Sequence, residues 1–586
     1  MSISLLTFFS LGTLALAVGI ATDPSPSFSL LQDRAFVSGD WELTQPGETG
    51  VSAMQLAIMS ESTVIILDRK EDNWLENNSG QPAWASELNL NTNQVRALNP
   101  TTDTFCATGS FLGNGTFVSS GGNSQQTINL LLTAPQGFQG IRLFTPCTDN
   151  TCDIFENPAQ LHLTSNRWYP SSVRLDDGSV MIYGGSTDGG KFQNRPDINN
   201  PTYEFFPPKN INGFNGVQIP SQFLCDTMNG NNFPIMMMLP NGNIFIAANQ
   251  QAMLFNWRNN TKIADLPKIP NDVRVTSPYS AGAVLLPLTP ENNYTPEVMI
   301  CGGSNVSDAI DFESKISSQT PASAQCARMV LTPQGITANW SVENMPQSRV
   351  MPELILLPDG RVLIVNGAQT GVAGYSNVAD QIGLSNADHP ALTPVIYDPS
   401  AAPGRRFSSE GIPASTIPRM YHSTSSLTPN GSVLLAGSNP NNNFNSSEKY
   451  PTEYRFEFYS PPYMFQPRPT YTGLPATVDY NSRFELSVDL PFNLLDIPSV
   501  ANIILTSDYS FATHGVHMDQ RYLKLRSILS LDRRTLTVTG PPSATHYPPG
   551  PAYLYVVTSA GVPSFGHRTL VGTGASPPVD EDAISK

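Results

Sequence analysis

The sequence predicts an all-β protein: a seven-bladed kelch-like β-propeller followed by a C-terminal immunoglobulin-like β-sandwich. Three observations carry this prediction. An apolar strand, an Asn-Gly or Asp-Gly pair and a second apolar strand closed by small residues recur along most of the chain. Short runs rich in Val, Ile, Leu, Thr and Phe are punctuated by 51 Pro and 43 Gly. From Pro461 onward the pattern changes to alternating strands without the Gly-Gly ending.

The recurring hairpins are Phe105 to Gly122, Trp168 to Gly185, Phe233 to Asn249, Val350 to Gly367 and Tyr421 to Gly437. Asn-Gly and Asp-Gly between strands predict type I′ turns, in which both central residues take positive φ. Weaker copies near Val51 to Asp68 and Tyr279 to Gly303 bring the units to seven, at intervals of roughly 50 to 70 residues, which fits propeller blades better than helical repeats. After them Phe484 to Leu490, Ala501 to Thr506, Tyr522 to Ile528, Thr535 to Thr539 and Ala552 to Thr558 read as sandwich strands. The expected division is a signal peptide over 1–21, the propeller with a short N-terminal segment over 22–460, the sandwich over 461–575 and a flexible tail over 576–586.

The 586 residues exceed what one ordinary core can hold, so a large repeat domain plus a second domain is expected. A net charge of -16 opposes binding to a phosphate backbone and excludes nucleic acid as the expected partner. The apolar run Ile3 to Ile20, followed by small residues and Thr22-Asp23-Pro24, reads as a cleaved secretory signal rather than a membrane anchor. No later segment is apolar for long enough to span a bilayer, so the mature protein is expected to be secreted, soluble and monomeric. Six cysteines in an exported chain suggest disulfides, with Cys147 to Cys152 and Cys301 to Cys326 the expected pairs. Cys106 and Cys225 are left, either to join each other or to serve separately. Several Asn-X-Ser sequons are compatible with glycosylation.

Repeat position makes Cys106 notable. Cys106, Tyr169 and His422 lie eight residues before Asn114, Asp177 and Asn430, so one position of the repeat supplies a thiol, a phenol and an imidazole. In a propeller, equivalent positions stand at equal height around the axis and converge. Tyr169, Tyr421, His422 and one histidine from the sandwich would form a mixed N and O set, which favours Cu(II) over zinc or calcium. Copper exchanges one electron and oxidation of an alcohol or aldehyde carbon needs two. A tyrosine radical, stabilised by a thioether from Cys106, would store the second. Read singly, Cys106 and Tyr169 are ordinary core residues, and Tyr421-His422 is a strand start whose side chains would face opposite sides. Spacing does not choose among His514, His517 and His546 as the last ligand.

These residues resemble a known family. Phe105-Cys106 with Gly121-Gly122, Arg167-Trp168-Tyr169-Pro170-Ser171-Ser172 with Gly184-Gly185-Ser186, Arg419-Met420-Tyr421-His422-Ser423, and Ala512-Thr513-His514 with Asp519-Gln520-Arg521 are similar to the copper radical oxidases, galactose oxidase and glyoxal oxidase. The resemblance covers essentially the whole mature chain. It implies a thioether-linked radical cofactor from Cys106 and Tyr169, Tyr421 as axial phenolate and base, and one copper ion held by Tyr169, Tyr421, His422 and His514. Asp519, Gln520 and Arg521 are read as structural. Two departures from galactose oxidase matter: its sugar-binding N-terminal domain has no room here, and its Gly-Gly-Ser-Trp motif is Gly184-Gly185-Ser186-Thr187. The segment Asn199 to Pro207 resembles the glyoxal oxidase branch, which implies small aldehydes such as glyoxal or methylglyoxal, with O2 reduced to H2O2 that could feed extracellular peroxidases. The alternatives are a primary alcohol oxidase with the same cofactor and a non-catalytic propeller that binds glycans or proteins.

Overall fold

In each strong hairpin the turn glycine anchors the strand pair. Gly115, Gly178, Gly242, Gly360 and Gly431 have φ between 81° and 96°, and each N–H donates back to the carbonyl three residues earlier at 2.9 Å. The preceding Asn or Asp keeps negative φ, so the expected type I′ turn is replaced by a type I turn with glycine at the left-handed position. The side chain explains this preference: Asn114, Asp177, Asn241, Asp359 and Asn430 each accept the N–H two residues on through Oδ1.

This computed structural model describes residues 39–584 except 125, 130–131, 191–192, 310–314, 492–499, 507–511 and 514–516. The hairpins expand into seven antiparallel sheets of four blade strands each, the first joined by a fifth strand, Ala512–Thr513, from the sandwich. Their innermost strands are Gln55–Ile58, Thr108–Phe111, Ser171–Arg174, Ile235–Met238, Ala281–Leu285, Glu353–Leu356 and Ser423–Leu427. These strands run in chain order around a common centre, and Ser423–Leu427 packs beside Gln55–Ile58. The seventh sheet is completed from the other end of the domain, since Glu42–Glu48 pairs with Arg455–Ser460 as its outermost strand. That exchange latches the ring.

Neighbouring blades touch where the second strand ends in glycine. A Cβ on Gly121 (φ 79°) would lie 2.6 Å from the Arg167 carbonyl oxygen of the next blade, and one on Gly302 (φ 82°) 2.3 Å from that of Arg349. Only glycine permits this approach. Beneath it Arg167, Arg349 and Arg419 are buried and donate to backbone carbonyls at strand ends, with Glu204 and Glu457 compensating Arg167 and Arg419. The sixth blade carries an insertion, the hairpin Ala368–Tyr375 and Ser385–Pro390, between its second and third strands.

The sandwich stacks Thr470–Thr472, Arg483–Asp489, Thr535–Thr539 and Ser527–Leu529 against a sheet of Thr477–Val478, His567–Val571, Gly550–Thr558, Val500–Thr506 and Tyr522–Leu525. Alternation places Leu486 and Val488 of one sheet, with Leu536 and Val538, against Leu554 and Val556 of the other. The C-terminal stretch, expected to be a flexible tail, is packed over its described part. Asp580 accepts the Asn210 N–H and Ala583 is buried. The expected disulfides Cys147–Cys152 and Cys301–Cys326 are present, whereas Cys106 and Cys225 are both free thiols, the first buried and the second exposed. The expected signal peptide lies outside the described residues.

Candidate metal centre

The repeat position singled out by the sequence is a backbone position of one kind. Cys106, Tyr169, Phe233, Met351 and His422 have φ of 59°, 60°, 49°, 58° and 59°, the left-handed region that bulky residues rarely adopt. Each enters an innermost strand. The Tyr169 N–H donates to the Cys106 carbonyl at 3.1 Å, and the Phe233 N–H donates to the Tyr169 carbonyl at 3.0 Å. Packing and these bonds around the hub hold the strained conformation in place. In the last blade it also breaks strand alternation, so Tyr421 and His422 face the same side with their rings stacked 3.7 Å apart.

Four donors converge there. Cys106 is fully buried, and Tyr169, Tyr421 and His422 are between 3% and 5% exposed. The two phenols hydrogen-bond each other, and the Cys106 thiol meets both. Burial pushes the thiol and both phenols well above their ordinary pKa, and for each phenol the charge of the neighbouring thiolate acts next in the same direction, whereas hydrogen bonds to the phenols draw the thiol partly back. A divalent cation would offset the cost of two buried phenolates. The set is carried by oxygen and nitrogen donors, with no group of three His, Cys, Asp or Glu among the described residues, and it fits copper better than zinc or calcium.

Aromatic rings wall the site. The Trp168 indole lies 4.0 Å from the Tyr169 ring at 67°, Phe233 lies 4.7 Å from it, and Phe105 meets His422 edge-on at 5.3 Å. Although position 187 is threonine, an indole still covers Tyr169, supplied by its chain neighbour. Phe105, Trp168, Tyr169, Pro278, Tyr375 and Tyr421 line a cavity of about 80 Å³. Sequence reasoning missed Tyr375, which the sixth-blade insertion delivers and the blade repeat does not encode.

The sandwich reaches into the hub. Ala512–Thr513 pairs with Leu56 and Gln55 as an extra strand inside the first blade. His517 Nε2 lies 2.6 Å from Glu353 Oε2, and that carboxylate also accepts the Ser425 N–H and Oγ–H. Asp519 accepts from Ser110 and from the Arg174 N–H, Gln520 clasps Leu354 and Leu356, and Arg521 donates to the Met238 carbonyl. Asp519, Gln520 and Arg521 thus have the structural role expected of them. Of the three candidate histidines, His517 is engaged by Glu353 through Nε2 and His546 by Ser543 through Nδ1. His514 lies outside the described residues.

Residues 54–463 match the family model described as Glyoxal oxidase N-terminus, and 468–571 match that described as Galactose oxidase-like, Early set domain. The chain is 32% identical to the aldehyde oxidase GLOX of Vitis pseudoreticulata over 572 residues, covering 91% of this chain and 98% of that protein. It is also 32% identical to aldehyde oxidase GLOX1 of Arabidopsis thaliana, covering 82% of this chain and 74% of that one. Among solved structures, a fungal alcohol oxidase of the AA5 family in complex with copper superposes with a TM-score of 0.67 at 17% identity, covering 91% of this chain and 99% of that chain, and shares its fold. The family match spans both domains, and this chain belongs to the glyoxal oxidase family.

Proposed function

We propose that this protein is a secreted, monomeric copper radical oxidase converting small aldehydes, as their hydrates, and O2 into carboxylic acids and H2O2. One observation carries the reading: two phenols, backed by a buried thiol and a stacked imidazole, stand at the wall of a cavity of about 80 Å³. The printed names of the relatives from Vitis and Arabidopsis, both aldehyde oxidases, favour the same substrate class.

Tyr169, Tyr421, His422 and His514 would hold the metal. Support for His514 comes from its neighbour Thr513, which pairs with Gln55, next to Met54 in the cluster containing Cys106 and Tyr169. When bound, copper supplies Lewis acidity and one electron-accepting centre, the oxidised Tyr169 ring being the other. Tyr421 receives the substrate hydroxyl proton at its phenol oxygen. Tyr169, joined to Cys106 by a thioether whose formation passes two electrons and two protons, from the thiol S–H and the ring C–H, to O2, would take the hydrogen from the adjacent carbon. Trp168, Phe105 and Phe233 keep bulk water from the ring. Per turnover the hydrate loses two electrons and two protons, and O2 gains them as H2O2.

Secretion through a signal at 1–21 accords with the disulfides Cys147–Cys152 and Cys301–Cys326, which belong in an oxidising compartment. The released H2O2 would serve extracellular peroxidases. The proposed domain limits are 22–460 and 461–575; in their support, the last blade strand ends at Ser460 and the first sandwich strand begins at Thr470. The test is peroxide release by copper-loaded protein with glyoxal, methylglyoxal and primary alcohols, with Cys106→Ser as control. Peroxide from aldehydes that Cys106→Ser abolishes is the expected result. Alcohols oxidised in preference would favour the galactose oxidase type of reaction, and no peroxide at full copper occupancy would leave a non-catalytic binding propeller.

A further inference from the structure

Beside the two phenols lies a polar cluster that neither the repeat nor the metal accounts for. The Arg69 guanidinium, 6% exposed, donates through Nε and Nη2 to Glu71 at 3.0 and 2.9 Å and through Nη2 to the Asn441 carbonyl. Glu71 is fixed in turn by Asn439 at 2.8 Å. The guanidinium lies between two rings, 5.4 Å from the centre of Phe105 and 5.6 Å from that of Tyr375. Its remaining arm, Nη1, donates to the Tyr375 hydroxyl oxygen at 3.1 Å.

Arg69 can only donate, so the Tyr375 oxygen is the acceptor in that bond and the phenol keeps its own proton to give. No acceptor for it is present among the described residues. The Tyr375 ring lines the cavity with its centre 6.0 Å from that of Tyr421. The result is a hydrogen-bond donor at a cavity wall that Asn232, Ser277 and Asn377 also line, and its oxygen is the one held in place by a buried ion pair.

Resting on the aldehyde-oxidase reading, we propose that Tyr375 recognises the aldehyde as its hydrate. A gem-diol carries two hydroxyl groups on the reacting carbon. One is deprotonated by Tyr421, and the other needs a partner on the Tyr375 side of the cavity, where an unpaired hydroxyl against the rings of Phe105 and Tyr375 is costly. Tyr375 donates to that second oxygen. A primary alcohol has a single oxygen on the reacting carbon and gains nothing from Tyr375, so this one donor discriminates the two substrate classes.

The test is Tyr375→Phe in copper-loaded protein, an isosteric change that removes one oxygen and leaves Arg69 bound to Glu71 and Asn441. Loss of a neutral hydrogen bond predicts kcat/KM for methylglyoxal lower by about tenfold, with kcat/KM for ethanol within about twofold of wild type. A second readout is binding of acetate, which presents two oxygens on one carbon and is not oxidised. Its Kd, measured by calorimetry, should weaken by about tenfold. Equal losses on both substrates, or acetate affinity unchanged, would overturn the assignment, and where wild type oxidises no alcohol the acetate titration decides. A wild type that makes no peroxide from any aldehyde counts against the enzymatic reading itself, whereas an active wild type matched by Tyr375→Phe counts against Tyr375 alone.

Discussion

Replacing Glu353 by alanine should unseat the sandwich loop from the propeller and cost the protein its copper. The Glu353 carboxylate is fully buried and accepts three hydrogen bonds at Oε2, from the Ser425 N–H, the Ser425 hydroxyl and His517 Nε2. Removing it strands those donors away from water, and breaking a buried pair of this kind costs about 3–5 kcal/mol. Part of that loss falls on the segment between Ala512–Thr513 and Gln520, which carries His514. Loss of a group that orients a metal-bearing segment weakens metal affinity by about 10–100-fold. Glu353→Gln keeps a carbonyl oxygen for Ser425 and should lose less than alanine. The assays are calorimetric melting and copper competition with a chelator, on wild type and both variants. If Glu353→Ala melted with wild type and held copper equally well, the claim that His517 anchors this loop through blade six would fail.

Two further predictions concern the surroundings of the site. Trp168→Ala removes the indole 4.0 Å from Tyr169. An aromatic contact is worth about 1 kcal/mol, so the oxidised protein's absorbance should decay roughly fivefold faster, with Trp168→Phe between the two and identical decay ruling out a shielding role. Asp103 is fully buried, and desolvation pushes its pKa up to about 6. The folded state therefore binds this proton more tightly than the unfolded chain, and stability falls as pH rises between about 4 and about 6, by about 3 kcal/mol once Asp103 is ionised. Asp103→Asn should remove that decline and raise the melting temperature at pH 7. A parallel pH dependence in the two proteins would contradict it.

How much of the site was legible follows from what the repeat encodes. Turn chemistry is local: an Asn or Asp that caps its own turn and a glycine that supplies positive φ recur at fixed spacing, and the axial residue is eight positions away. That ruler located Cys106, Tyr169 and His422 before any coordinates, and Phe233 and Met351 share the same left-handed backbone. It failed in detail for the turn type, because side-chain capping kept the Asn and Asp residues out of the left-handed region. It was silent on Tyr375 and Arg69, which lie on an insertion and on a loop after a second strand, where no periodicity operates. Among the histidines the sequence offered spacing only. The partner that engages His517 is Glu353, a residue 164 positions away in the chain.

The latch between Glu42–Glu48 and Arg455–Ser460 has a consequence for biogenesis. The first element of the ring waits for a partner made near the end of the domain, some 400 residues later, or roughly 20–80 s of translation at 5–20 residues per second. Through that interval the nascent chain carries an unlatched edge, and the segment that fills the hub has yet to leave the ribosome. The ring can therefore close only once Arg455–Ser460 has been made, and the hub is filled later still, when Ala512–Thr513 can pair with the first blade.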